Sequence, residues 1–483
     1  MNRFYTTARI IGSFCIAFAA TLLMPIAVSA FYGDGELMSF VDSLVFSLVL
    51  GSLLLLLGRG RQRDLSTRDG FLVVGLFWIV LGLLAAMPLM SSLRMSMTDA
   101  LFESVSALTT TGATVITGLD DLPPSVQMYR QWLQWLGGMG MIVLAIAVMP
   151  MNGVGGMNLY RAEAPGPLKD QKLTPRLAHT AQLLWMVYLG LTAANALAYW
   201  LAGMTPFDAI AHALSTVSTG GFSTHDASLG YFNSEAIETI AVVFMLFGAI
   251  NFSVHFVALR HRDPLHYLRN VEVRSFLLFV VATVALVSLV LRSSGEYDSM
   301  PPSIRNAVFE VVSVVTSTGF GTVDFSHWPD ILPILLIFIS FVGGCGGSTA
   351  GGMKVMRIIV MLKQGGREIR RLIHPRAITH LRVGRQRVDD RTIDAVWGFM
   401  AAYVASFIVL MLLMIHFGGL GALDAFSAIA TSMNNLGPGL GEVASNFTVV
   451  TDGGKLISVF AMLLGRLEVF TLLVLLTPGF WRA

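Results

Sequence analysis

Apolar residues along this chain run in long blocks divided by short polar or basic stretches, and the blocks recur in a fixed order. One block covers 10 to 31 and a second 41 to 57. Four larger units follow, at about 70 to 150, 181 to 259, 275 to 360 and 393 to 477. Each unit reads as a spanning helix, a short capped helix, a polar tetrad ending in glycine, a second spanning helix and a basic segment. Two spans and four pairs predict ten membrane-spanning helices.

The tetrads carry the chemistry. They are Thr109-Thr110-Thr111-Gly112, Ser218-Thr219-Gly220-Gly221, Thr316-Ser317-Thr318-Gly319 and Asn434-Asn435-Leu436-Gly437, and each glycine lies 13 positions after Asp99, Asp208, Asn306 or Asp424. Asp and Asn are favoured helix N-caps, so the spacing predicts a capped helix of about 11 residues, roughly 16 Å long. That is about half of the ~30 Å hydrocarbon core, and a helix so short must re-enter on the side it came from. The tetrad then becomes a pore loop: its glycine permits unusual backbone angles, and the preceding helix aims its partly negative C-terminal end the same way. Both features suit a cation.

The expected fold class is an all-α polytopic membrane protein, with four tandem membrane–pore-loop–membrane repeats around a pseudo-fourfold pore and an N-terminal helix pair. The divisions are 1–68 for the helix pair and 69–176, 177–273, 274–391 and 392–483 for the repeats. Periods of 109, 98 and 118 residues between the capping positions are too long for a solenoid and fit fourfold duplication of one hairpin.

Composition agrees with this pattern: 54% of residues are hydrophobic and 13% charged, against about 25% charged in soluble domains. Charge placement orients the chain. Of 32 Lys and Arg, 26 lie at the N-terminus, in the segments 59–68, 161–176, 260–274 and 354–391, or at Arg482. These fall on the cytoplasmic side by the positive-inside rule, with both termini inside and the chain in the cell's inner membrane. Arg94, Arg130, Arg292, Arg305 and Lys455 flank spans on the opposite side, and Arg466 alone sits mid-span. Val28-Ser29-Ala30 loosely resembles a signal-peptidase site, but the first run is long enough to span and is read as a retained helix. Trp132, Trp135, Trp328 and Trp481 lie near span ends, as interfacial anchors do.

Other chemistry is excluded residue by residue. Cys15 and Cys345 sit in apolar or glycine-rich stretches and offer neither a disulfide framework nor a thiolate metal site. The histidines form no HExxH pair and no paired carboxylates lie inside a span, so an enzyme is not expected. His212 and His255, near pore elements, read as satisfied structural groups. No nucleic-acid partner and no bound cofactor is expected.

Two features interrupt the regular pattern. Gly343, Gly344, Gly346, Gly347, Gly351 and Gly352 fall within ten residues where the second helix of the third repeat should cross the membrane. Glycine costs about 1 kcal/mol per helical position, so the stretch reads as an intramembrane loop lining the cavity, with close packing through small residues the plainer account. Arg466 lies near the centre of a predicted span over 456–477, and Glu468 is about 200° around that helix from it, so the pair cannot neutralise each other. A charge there should face the pore or a partner group, and at ~7 Å from a passing ion it would raise the ion's energy by about 2.4 kcal/mol at an effective dielectric of 20.

With these residues in view, the chain resembles the Trk/Ktr/HKT superfamily of potassium transporters, and within it the bacterial TrkH branch. The resemblance covers the helix pair, the four repeats, the four tetrad glycines and the string GGCGGSTAGGMKVMR at 343–357. It implies a potassium-conducting pore in each subunit, potassium as the substrate, a homodimer in membrane lipid, and a cytosolic ring of TrkA-type subunits that bind NAD or ATP. Carried over by position, the filter would be Thr110, Thr111, Gly112; Thr219, Gly220, Gly221; Ser317, Thr318, Gly319; and Asn435, Leu436, Gly437. The gate would be the glycines of 343–352 together with Arg466. The fourth tetrad lacks the hydroxyls of the others, and none reads TVGYG. The basic segment 354–391 would meet anionic lipid or the regulatory ring. A proton- or sodium-coupled alternating-access symporter is the competing function, but it would use ionisable ligands and inverted repeats, where these repeats are parallel and their loops lack carboxylates.

Overall fold

In a computed structural model, residues 2–59, 66–140, 177–329, 331–376, 380–384 and 386–482 are described. Nearly all of the structure is helical. The N-terminal pair packs a broken helix, Asn2–Thr21 with Leu23–Tyr32, against Leu37–Leu57. Gly12 and Gly51 face each other so closely that a Cβ on either would meet the other's carbonyl oxygen, at 2.7 and 2.9 Å. Small residues let backbones approach in this way where lipid supplies no hydrophobic drive.

Each repeat then adds an outer helix, a pore helix and an inner helix. The outer helices are Thr67–Leu93, Leu177–Leu201, Val271–Ser293 and Asp390–Phe417; the pore helices are Met97–Leu108, Pro206–Val217, Met300–Val315 and Ala422–Asn434. The pore helices measure 12, 12, 16 and 13 residues, all too short to cross a bilayer. Among the described residues six helices are long and apolar enough to span alone, and two bent pairs would each make one more. The remaining two predicted spans involve the helix Pro124–Gly138, which leads into residues outside those described, and the helices on either side of the glycine-rich loop.

The capping expectation needs correction. Ser96 and Thr205 are the N-caps, their hydroxyls accepting the N–H of Asp99 and Asp208 at 3.1 Å, so the acids sit three residues inside. Asp424 holds the same third position behind Gly421, and Asn306 lies well inside a helix that starts at Met300. In the first, second and fourth repeats an acid in the first turn complements the helix dipole as a capping residue does. These acids also bind outward. Asp99 pairs with Lys455 of the fourth repeat at 2.6 Å, and Asp208 accepts the Thr224 hydroxyl at 2.8 Å.

A second correction concerns the inner helices. One interruption is expected, and three are found. The second repeat's inner helix breaks between Glu235–Ala249 and Phe252–His261 with a bend of 101°, and the fourth's between Asp452–Arg466 and Phe470–Leu476 with 119°. The third breaks between Ile331–Ser340 and Val355–Ile373, and the first ends at Gly138. Arg466 is therefore the last residue of a half-helix and not the middle of a span.

Trp135 and Trp328 are buried within the protein, and Trp135 stacks on Trp132 and Tyr188. On the side opposite the basic segments, His225 of the second repeat bonds Asp120 of the first at 2.5 Å, and that hydrogen bond holds the Asp120 carboxyl below its ordinary value. Within the described part of the basic segment the strands Arg382–Val383 and Gln386–Arg387 pair antiparallel, and Leu381, Val383 and Val388 pack with Val360, Ile393 and Val396.

Candidate ion pathway

Every pore helix ends in the same turn. The N–H groups of Thr110, Thr219, Ser317 and Asn435 donate to carbonyls three residues back, at 3.0, 3.0, 3.0 and 3.3 Å. Those of Thr111, Gly220, Thr318 and Leu436 donate five back, at 2.8, 2.8, 2.8 and 2.9 Å. This is the Schellman closure, which places its turning residue in the left-handed region, normally glycine. Here Thr110, Thr219, Ser317 and Asn435 occupy it, with φ of 56°, 53°, 52° and 52°. A side chain in that region costs about 1–2 kcal/mol, and such strain persists where the surrounding structure enforces it, commonly at functional sites. Two residues later Gly112, Gly221, Gly319 and Gly437 are also left-handed, at 81°, 82°, 79° and 98°.

The four limbs close into a ring. A Cβ on Gly112 would overlap the Gly220 carbonyl oxygen, one on Gly221 that of Thr318, one on Gly319 that of Leu436, and one on Gly437 would come within 2.7 Å of that of Thr111. Each glycine thus abuts the carbonyl that precedes the glycine of the next repeat, in the cyclic order one, two, three, four. The sequence-predicted filter residues of all four repeats are brought together at one level.

Side chains differ where backbones agree. Thr109 and Thr111 share a hydroxyl contact of 2.7 Å, and Thr316 and Thr318 one of 2.8 Å. In the fourth limb, amides replace them: Asn435 Nδ2 donates to Thr111 Oγ1 at 2.9 Å and to the Met462 carbonyl at 3.0 Å, while Asn434 bonds Tyr403 and Ser340. The missing hydroxyls are answered by longer side chains that tie the limb to its neighbours. The second limb is braced by Gln134, which donates to the Gly220 carbonyl at 2.6 Å and accepts from Ser215 and the Phe222 N–H. Gln134 was not singled out in the sequence, although Gln127, Arg130, Gln131 and Gln134 form a polar stripe at helical spacing in an otherwise apolar span.

The glycine-rich loop lies against these limbs. Thr349 Oγ1 is 3.2 Å from Thr219 Oγ1 and donates to the Gly248 carbonyl at 3.0 Å, the Gly351 N–H donates to Ser317 Oγ at 2.5 Å, and the Gly352 N–H to the Asn434 carbonyl at 3.1 Å. Gly343, Gly347 and Gly352 take left-handed angles. Gly344 packs on the Ala249 carbonyl, the Gly346 N–H donates to Glu272 at 2.8 Å, and the Gly347 carbonyl accepts the Phe252 N–H at 3.1 Å. The loop therefore fits into the break of the second repeat's inner helix.

Arg466 completes this layer. Its guanidinium donates to Thr110 Oγ1 at 3.3 Å, to the Thr349 carbonyl at 3.1 Å, and to the carbonyls of Gly137 and Gly138 at 2.5 and 2.9 Å. It joins the first limb, the loop and the end of the first inner helix. Three of the four left-handed side chains are thus bonded to the loop or to Arg466. Glu468 lies in the helix break and pairs with Arg357 at 2.5 Å, and that guanidinium rests 4.0 Å from the centre of the Phe399 ring. Lys354 Nζ donates to the Ala350 carbonyl.

Among the described residues no cluster of His, Cys, Asp or Glu fits a metal ion. His212 and His255 each use both ring nitrogens in hydrogen bonds, in keeping with structural roles.

A closed ring of re-entrant limbs within a bundle of apolar helices defines a multi-pass membrane transport protein rather than an enzyme. The family model of TrkH, described as a cation transport protein, matches residues 36–480, and the chain belongs to that family. The Trk system potassium uptake protein TrkH of Vibrio parahaemolyticus is 51% identical over 485 residues, covering 100% of both chains. Its counterpart in Escherichia coli is 48% identical over 99% of both. Among solved structures, a crystal structure of the potassium transporter TrkH from Vibrio parahaemolyticus superposes with a TM-score of 0.90 at 49% identity, covering 99% of this chain and 100% of that one.

Proposed function

We propose that this chain carries potassium inward across the inner membrane through the ring formed by the four tetrads, with the loop at 343–352 and Arg466 metering flow. The closed contact of each tetrad glycine with the next limb's carbonyl carries this reading, because it supports four equivalent segments converging on one axis. The relatives' names, potassium uptake protein and potassium transporter, support the choice of ion. Selection would rest on the backbone carbonyls of the ring replacing the ion's water shell.

The same reading places the chain as a homodimer with both termini inside, under the control of a cytosolic nucleotide-binding ring. The helix Val355–Ile373 supports that control, since it starts where the loop ends and runs into the basic segment. A partner that pulled on it would bias the gate only through differing affinity for its two positions. Flux into proteoliposomes of the purified chain tests the proposal, with potassium, rubidium and sodium compared and with or without a proton gradient. Potassium and rubidium should exceed sodium, and flux should follow the potassium gradient alone. Uptake that requires the proton or sodium gradient would replace this reading with coupled symport.

A further inference from the structure

Behind three of the four limbs, a buried polar side chain crosses from the pore helix to the chain leaving the filter. The position is the same each time, nine residues before the tetrad glycine: Glu103, His212 and Glu310, with Ala428 in the fourth repeat. Glu103 is fully buried, and its carboxylate accepts the Val115 N–H at 3.0 Å and the Thr114 hydroxyl at 3.0 Å. Arg130 donates to it at 2.8 Å, reaches Thr114 Oγ1 at 3.2 Å, and lies over the Phe222 ring of the second limb at 4.1 Å. Glu310 accepts the Thr322 N–H at 2.9 Å, the Thr322 hydroxyl at 3.1 Å and the Val323 N–H at 3.4 Å. The second limb has a neutral bond in the same place, His212 Nε2 to Ser223 Oγ at 2.9 Å. In the fourth, Ser427 Oγ accepts the Leu440 N–H at 3.0 Å.

The arrangement has a direction. Hydrogen bonds to an ionised group are roughly twice as strong as neutral ones, so Glu103, ion-paired with Arg130, holds the first limb most firmly, and Glu310 ties the third limb through three bonds of its own. In the cyclic order of the glycine contacts, the first and third limbs stand opposite each other. A carboxylate buried without partners is costly, and each of these is satisfied by the N–H groups of the segment whose position it fixes. We propose that Glu103 and Glu310 are positioning residues for ion selectivity, clamping the exit limbs from opposite sides so that the filter keeps its width. They touch no ion and act through Thr114, Val115, Thr322 and Val323. This inference rests on the filter reading above.

The test is the sodium-to-potassium permeability ratio of the full chain in planar bilayers, from reversal potentials, alongside thermal melting in detergent. In Glu103→Gln an amide NH2 is turned toward donors already in place, and the ratio should rise about tenfold. Glu310→Gln can keep its Oε1 bonds and should shift the ratio about threefold. Thr114→Val removes one hydroxyl and should relax selectivity by a similar, smaller factor, with Thr114→Ser restoring it; this pair carries the test if Glu103→Gln does not fold. A Gly112→Ser control separates the two levels. If that control shifts the ratio while Glu103→Gln and Thr114→Val only lower the melting temperature, the two glutamates are structural and the inference is wrong. If the control leaves the ratio unchanged as well, it is the filter reading that fails.

Discussion

The filter ring and the layer beneath it solve the same geometric problem in opposite ways. In the ring, four unlike sequences reach one backbone: the same pair of turn hydrogen bonds and the same two left-handed positions recur, although the tetrads read TTTG, STGG, TSTG and NNLG. In the layer below, four inner helices stop near one level, yet a single loop and a single arginine fill the space they leave. Symmetry belongs to the groups that would face an ion equally from all sides. On the proposed reading the asymmetry below belongs to a plug, which needs only one copy to block one path. The proposed function gives ion choice to the ring and ion throughput to the layer below.

The largest effect should come from breaking one of the four equal limbs. In Gly221→Ala a Cβ meets the Thr318 carbonyl oxygen at a left-handed φ, and strain of about 2 kcal/mol corresponds to roughly 30-fold in an equilibrium. The sodium-to-potassium permeability ratio should rise on that order, and Gly112→Ser should behave alike. An unchanged ratio would mean that the ring does not choose the ion.

Next in size is the plug's charge. Arg466→Ala should raise potassium flux on the order of tenfold or more, since a unit charge ~7 Å from the ion costs about 2.4 kcal/mol at an effective dielectric of 20; Arg466→Lys should change flux far less. Tracer rubidium uptake per folded molecule measures this. Shortening the loop between Gly346 and Gly351 should raise basal flux severalfold, less than Arg466→Ala because the arginine remains. A folded deletion variant with no flux would make the loop a structural support.

A subtler change is Glu468→Gln, which removes the partner of Arg357 at the helix break. Losing a charge-assisted hydrogen bond of about 1.5–3 kcal/mol should loosen the segment that carries Arg466 and raise flux about threefold. Combined with Arg466→Ala it should add nothing, and additive gains in that double variant would place Glu468 on a separate route. The smallest effect should follow Thr316→Val. Its hydroxyl bonds Thr318 inside the third limb, where the backbone turn is held independently, so folding stability should fall by about 1 kcal/mol while the permeability ratio stays within twofold.

Much of the ring was legible in the sequence because its requirement is local. Polar groups ending in glycine, at a constant distance from an Asp or Asn, point to a short helix and a sharp exit whatever the tertiary context. The left-handed threonines were not legible, since nothing in the residue type calls for that angle and only the closing of the ring enforces it. The layer beneath was read in part. Six glycines announced one break, but Ile250-Asn251 and Glu468-Val469 are ordinary residues in sequence, and their breaks come with contacts to the loop, through Gly248, Ala249 and Phe252 in one case and Arg466 in the other. Glu468 was placed on a continuous helix and so misjudged. Likewise, Gln134 and Arg130 earn their places through contacts with other repeats, which a single sequence does not reveal.

The division of labour between the two layers is tested most directly by recording conductance and reversal potential together on Arg466→Ala in planar bilayers with potassium on one side and sodium on the other. The account predicts a conductance on the order of tenfold higher with a reversal potential that does not move. A reversal potential that shifts toward sodium, or a conductance no greater than the unaltered chain's, would contradict it.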